Sequence, residues 1–247
     1  MSRPVRLGMF LVGALGLGAL LVAGLVGLPR FGDYPGPYCD LIAQLAVPQR
    51  HMVNTVTAVV FDYRGFDTMG EELLLFAAAS STALLLRETR EHDTEDLVAA
   101  VRSDAVRAAG GLGAIVTLVV GLDVVAHGFI TPGGGFQGGV LLAATFVFLF
   151  ISTEYRAFAR LAPATYAEPV ESLGAGGYAV VGLAALVYGL AFLENFIGLG
   201  VPGRLSAGGS AILVNWCAGL AVCGGFLVIF GETLQENMAE RYGRSTR

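Results

Sequence analysis

Six long apolar runs separated by polar stretches organise this chain: Leu7–Leu28, Met69–Leu86, Leu112–Gly128, Phe136–Thr153, Leu173–Glu194 and Ala207–Gly231. A helix that crosses a bilayer takes roughly 20 predominantly apolar residues, within a range of about 17–25. The pattern therefore predicts an all-α, polytopic transmembrane protein with about six transmembrane helices. The second run is short and begins beside acidic residues. Between the first two runs, Phe31-Gly32-Asp33-Tyr34-Pro35-Gly36-Pro37 has loop chemistry. Met52–Phe61 is apolar but too short to span, and is expected to lie along or dip into the outer leaflet. In the charged stretch Arg87–Ala109, apolar Leu97, Val98, Val101 and Ala105 fall at near-helical spacing, which predicts an interfacial helix.

Composition supports a lipid-facing chain. Of 247 residues, 55% are hydrophobic and 14% charged, against about 25% charged in a soluble domain. Mean hydropathy is +0.68. The 35 glycines suit closely packed bilayer helices. Net charge is −5 and no basic run is present, so no nucleic-acid partner is expected. Cys39, Cys217 and Cys223 form neither a CxxC pair nor a His/Cys cluster, so no metal site or cofactor is expected. The first apolar run follows Arg3 and Arg6, exceeds a signal-peptide core of about 7–15 residues, and lacks an A-x-A site after it. A retained first helix is expected.

All 15 basic residues are arginine, and they orient the runs. With the N-terminus inside, eleven lie on inner segments (Arg3, Arg6, Arg87, Arg90, Arg102, Arg107, Arg156, Arg160, Arg241, Arg244, Arg247) and four on outer ones (Arg30, Arg50, Arg64, Arg204). Both termini are thus expected in the cytoplasm.

Two polar constellations stand out. The first, Asp62-Tyr63-Arg64-Gly65-Phe66-Asp67-Thr68-Met69-Gly70-Glu71-Glu72, opens the second run. Asp67 and Glu71 are four residues apart and share a helix face. Crowded carboxyls raise one another's pKa while Arg64 opposes the shift, an arrangement suited to a cation or a proton. The same residues also read as structure: Thr68-x-x-Glu71 is a capping box, and acidic groups suit a helix N-terminus.

The second constellation, His127-Gly128-Phe129-Ile130-Thr131-Pro132-Gly133-Gly134-Gly135-Phe136-Gln137-Gly138-Gly139, links the third and fourth runs. It reads equally as a glycine-rich turn or as a functional backbone element. Asp123, inside the third run, is followed by His127 one turn later, so the pair can exchange a proton or make a static hydrogen bond. Glu194 and Glu232 sit near predicted helix ends, where interfacial solvation is the simpler expectation. The Tyr and Phe residues along the runs read as lipid or packing contacts.

Together these constellations carry a family resemblance. The stretch Asp62 to Glu71 resembles the motif near the C-terminal end of the large A subunit of Mrp-type multisubunit sodium/proton antiporters, and the corresponding small subunit of membrane-bound hydrogenases. The stretch Pro132-Gly133-Gly134-Gly135-Phe136-Gln137-Gly138-Gly139 resembles the signature of the Mrp B subunit. The resemblances cover roughly residues 50–90 and 105–235, and imply a fusion. Residues 1–109 would form a two-helix unit like the end of the A subunit, and residues 110–247 a four-helix unit like the B subunit, the best internal boundary falling at Arg107–Gly113.

The resemblance implies a cell-membrane subunit of a cation/proton antiporter complex, with other Mrp-type membrane subunits, the lipid bilayer, sodium ion and protons as partners. Asp67, Glu71, Asp123 and His127 are the candidate ion-path or proton-relay residues. The chain is not expected to be an enzyme by itself. The alternative is a scaffold, or a proton-arm subunit of a membrane-bound hydrogenase or related complex I-like oxidoreductase. The arginine distribution makes a direct prediction: an impermeant thiol reagent applied outside the cell labels cysteines placed in 29–50 and spares those in 87–109. The reverse pattern inverts the topology.

Overall fold

The computed structural model describes residues 3–28, 30, 32, 36–86, 103–153 and 164–245. The chain divides into two units, residues 1–41 and 42–247. The first contains α1 (Arg3–Val26), which buries none of its side chains within the unit. At the end of this unit α2 begins, and it runs Pro37–Arg50. The second unit continues with the short α3 (Thr55–Ala58), a π-helical turn (Val59–Tyr63) and α4 (Gly65–Leu85). Then follow α5 (Asp104–Ala126), α6 (Gly135–Ser152), α7 (Ala164–Val187) and α8 (Ala211–Ser245). No strand occurs among the described residues.

Among the described residues, five stretches are long and apolar enough to cross a membrane: α1, α5, α6, Tyr166–Val187 of α7 and Ala211–Glu236 of α8. With 21 residues, α4 has the length too, but its first turns carry Asp67, Glu71 and Glu72.

Helix α8 is the axis of the second unit. It packs against α7, α6 and α4, while α5 packs mainly on α6. Small residues permit this closeness. A Cβ on Gly174 of α7 would stand 2.2 Å from the Ala221 backbone nitrogen of α8, and one on Gly138 of α6 would stand 2.3 Å from Val125 of α5. Without a hydrophobic drive between helices inside lipid, such close backbone contact is what holds them. Two apolar clusters result. One gathers Met52, Phe61, Phe129, Tyr178 and Val214; the other gathers Ala79, Ala143, Ala167, Leu227 and Val228.

Several boundaries depart from the hydrophobic pattern. Helix α5 begins at Asp104 rather than Leu112, so the Arg107–Gly113 stretch lies within a continuous helix. The fifth run is displaced: α7 spans Ala164–Val187, not Leu173–Glu194. It ends in a Schellman motif, with Gly189 at φ +76°, its N–H donating to Leu186 O and that of Leu190 to Ala185 O. Apolar Leu190–Leu193 beyond that glycine made the run look longer. Helix α8 continues past Gly231, which turns Glu232 from a helix-end residue into an interior one. Most of the expected interfacial helix, including Leu97, Val98 and Val101, lies outside the described residues, as does much of the Phe31–Pro37 loop. Ala105 belongs to the first turn of α5.

The α7–α8 contact is predicted to be intolerant of volume. Gly174→Val drives a branched side chain into fixed backbone and should destabilise the fold by about 1–3 kcal/mol or more. A lowered melting midpoint in detergent checks this, with Gly176→Val as the control, since Gly176 has open space around it.

Candidate functional site

The segment just before the first constellation meets the second. Asn54 caps α3, its Oδ1 accepting from the amides of Val56 and Thr57, and its Nδ2 donates to Gly128 O at 2.8 Å and Thr131 O at 2.9 Å. The Thr57 hydroxyl donates to the same Gly128 carbonyl at 2.6 Å. The amides of Val53 and Asn54 both donate to Phe129 O. Met52–Phe61, expected along the outer leaflet, is therefore partly a core element: Met52, Thr57, Ala58 and Phe61 are buried.

From the opposite side Asn215 of α8, wholly buried, staples the break between α5 and α6. Its Oδ1 accepts from Gly135 N at 2.6 Å, and its Nδ2 donates to Val125 O at 2.9 Å. Gly134, at the N-cap of α6, has no side chain to cap with and sits at φ +145°, after Gly133 at +146°. Asn215 supplies the missing acceptor. The stretch from His127 to Gly134 is thus a helix break, and its backbone together with the flanking helix ends is held by three side chains from elsewhere. The Pro132–Gly139 motif is already part of α6 from Gly135 onward. Of its side-chain positions, Pro132, Phe136 and Gln137 are exposed, while Gly134, Gly135, Gly138 and Gly139 are buried.

The acidic cluster is dispersed rather than gathered. Asp62, on the π turn, has a side chain only 7% exposed and pairs through Oδ1 with Arg50 Nε at 2.8 Å. Arg50 also lies over the Tyr63 ring, 5.1 Å from its centroid. Burial pushes the Asp62 carboxyl above the ordinary carboxylate range; Arg50 and a hydrogen bond from Asn195 pull it down, and Glu194 adds to the rise. A raised folded value means that Asp62 contributes most to stability below its unfolded pKa, and that the contribution is lost as pH rises through the folded one. Asn195 ties this corner to α8, donating to Gly208 O and accepting from the Ser210 amide and hydroxyl. A cleft of about 480 Å³ opens here, lined by Arg50, Asp62, Arg64, Phe66, Glu194 and Asn195 among others.

Arg64 pairs instead with Asp67, both half-exposed. Gly65 and Thr68 are buried, Phe66 and Glu71 exposed, and Gly70 intermediate. The capping-box reading is corrected. Helix α4 begins at Gly65 with Arg64 at the cap and no side-chain cap bond, and the Thr68 hydroxyl donates to Val60 O at 2.7 Å. The π turn supplies the reason, since its wide ring leaves that carbonyl to be satisfied from the following helix. Asp123 and His127 do pair, Oδ1 to Nδ1 at 2.9 Å, with side chains 63% and 37% exposed. Asp123 lies in the last turn of α5 rather than mid-helix.

Among the described residues, three glutamates are buried where the sequence reading does not place them in the interior, and Glu171 is not singled out there at all. Glu72, Glu171 and Glu232 are 1%, 3% and 2% exposed. This corrects the interfacial placing of Glu232. Glu194, by contrast, is exposed and accepts from the Ala191 amide at 2.8 Å. Neither carboxyl oxygen of Glu72 has a hydrogen-bond partner among the described residues. Glu72 lies within electrostatic reach of Tyr178 on α7 and Cys217 on α8. The Tyr178 hydroxyl donates to Gly65 O at 2.8 Å, at the start of α4. The available signal was helical phase: Glu72 follows Thr68 at i+4, on the buried face of α4.

Apolar spanning helices around a buried polar interior define a multi-pass membrane protein. Residues 105–228 match the family model described as a domain related to the MnhB subunit of Na+/H+ antiporter, and the chain belongs to this family. A relative, the uncharacterized protein MJ1307 of Methanocaldococcus jannaschii, is 32% identical over 197 residues, covering 70% of this chain and 73% of its own. Among solved structures, a chain of the membrane-bound sulfane sulfur reductase, an archaeal respiratory membrane complex, is 27% identical. The match covers 93% of this chain and 98% of that one, with a TM-score of 0.65. A chain of the Mrp complex from Dietzia sp. DQ12-45-1b shares the fold at a TM-score of 0.68 and 22% identity; 94% of this chain aligns with 26% of that one.

The Asn215 staple generates a prediction. Asn215→Leu keeps the branched shape and number of heavy atoms but leaves a buried N–H and C=O unpaired, at about 1–3 kcal/mol each. The melting midpoint of the purified protein should fall, while Trp216→Leu, at an exposed neighbouring position, leaves it in place.

Proposed function

We propose that this chain is a membrane subunit of a multisubunit cation/proton antiporter complex, forming part of the wall of its sodium or proton path while packing larger subunits together. The observation that carries this reading is Glu72, a carboxyl sealed among α4, α7 and α8 with no hydrogen-bond partner among the described residues. Inside a membrane protein an unpaired ionisable group is expensive and marks an ion route by default. The outer cleft around Asp62 and the exposed Asp67 and Glu71 lie at the start of the same helix, so a cation or proton approaching from that side meets acidic groups before Glu72. Asp123 and His127 form a second titratable pair at the outer end of α5.

In this reading α4 is the sixth crossing, both termini are cytoplasmic, and residues 1–109 and 110–247 are the A-like and B-like parts of a fusion. The chain itself catalyses no covalent reaction. Family membership and the alignment of nearly the whole chain with part of an Mrp complex chain support the antiporter host. A specific observation favours a second host: the match to the sulfane sulfur reductase chain is nearly complete on both sides. There the same subunit would serve as the proton arm of a redox complex. Redox subunits recovered through a tag on this chain would identify that host.

The path reading is tested in reconstituted vesicles. Glu72→Gln, close in shape but unable to ionise, should lower sodium/proton exchange at least about tenfold, equivalent to about 1.4 kcal/mol in barrier, while the complex still assembles. Asp67→Asn, Glu71→Gln and Asp123→Asn test the outer groups in the same assay. Because no capping box involves Glu71, loss of activity in its Gln variant reports charge and not helix stability. Normal exchange in Glu72→Gln with intact assembly refutes the reading.

A further inference from the structure

Towards the far half of α4 from the outer cleft, a second polar site opens beside α7 and α8. A cavity of about 460 Å³ is lined by Phe76, Ser80, Glu168, Glu171, Ser172 and Val228 among its walls. Glu171 is 97% buried by the complement of its 3% exposure, and its Oε1 has no hydrogen-bond partner among the described residues. The packing of α8 leaves room for this carboxyl. A Cβ on Gly225 would stand 2.9 Å from Glu171 Oε1 and 3.1 Å from Leu75 Cγ. Leu75 is one turn beyond Glu72 on α4, so Gly225 lies where the Glu171 carboxyl and that helix approach each other.

The donor chemistry of the cavity is uniform. Among the described residues that line it, the polar side chains are two carboxyls and two hydroxyls, with no basic, sulfur or imidazole group. Such oxygen-only sets suit hard cations rather than transition metals. A buried carboxyl with an unpartnered oxygen is tolerated when it carries a proton or a cation. Exchanging one for the other leaves the charge of the cavity unchanged: the Glu171 O–H bond breaks, the proton leaves, and the carboxylate takes a monovalent ion in its place.

We propose that this cavity is a sodium site, in which Glu171 exchanges its proton for the ion and Glu168, Ser80 and Ser172 provide further oxygens. The proposal rests on the ion-path reading above and adds to it a loading position on the α7 side of α4. Glu171 is the ion-binding group. Gly225 is the residue that makes space for it.

The test uses the intact complex purified through a tag on this chain. Dicyclohexylcarbodiimide reacts with protonated carboxyls in apolar surroundings, and the adduct on the Glu171 peptide is read by mass spectrometry in sodium or choline chloride at equal ionic strength. Sodium at about ten times its Kd should slow labelling of Glu171 about tenfold relative to choline. Equal labelling in the two salts, or no adduct on Glu171, overturns the site. In vesicles, Glu171→Gln should abolish sodium-driven proton movement; full exchange in that variant also overturns it. If Glu171→Gln fails to assemble, the labelling of the unaltered complex still decides. Loss of exchange in Glu72→Gln with no sodium protection at Glu171 removes this site and leaves the path reading. Full exchange in Glu72→Gln removes the path reading itself.

Discussion

Backbone groups that a helix break releases and packing buries have no water to pair with, and they must find partners in the protein. The break between α5 and α6 meets that constraint with three polar side chains. Asn215 joins the last turn of α5 to the first amide of α6, and Asn54 and Thr57 converge on Gly128 O. The interaction is mutual. The connector needs those donors and acceptors, and the short α3 and the π turn are positioned by supplying them. Through Asn195, which bonds to Asp62, Gly208 and Ser210, the irregular segment before α8 joins the same assembly. The outer cleft is therefore a consequence of how the broken backbone is satisfied.

The glycines that allow α6 and α7 to lie against α8 have a second effect. Close helix contact excludes lipid and water from the interior, and whatever polar group remains there is isolated. Glu72 and Glu171 sit in the gaps where this packing leaves room, the latter opposite Gly224 and Gly225. Burial raises the energetic weight of each protonation or cation-binding event at these carboxyls. The exposed acids Asp67, Glu71 and Asp123 behave differently: Asp67 has Arg64, Asp123 has His127, and Glu71 faces outward.

The sequence by itself determined the class of structure, because length and hydropathy act locally: roughly 20 apolar residues in a row have few alternatives to a membrane helix. It also marked the two polar constellations and the Asp123–His127 pairing, whose i, i+4 spacing is a property of one helix. It did not reveal that the segment before the first constellation touches the second, since Asn54 and Gly128 meet only through the fold. Nor did it separate Glu71 from Glu72. Adjacent residues on a helix differ by about 100° in direction, and which direction is interior depends on where α7 and α8 lie. Glu171 and Glu232 were hidden for the same reason: a carboxyl near the end of an apolar run looks solvated until neighbouring helices close over it. The choice between an exposed acid and a buried one was made by helix packing, because only neighbouring helices decide which face of a helix is interior.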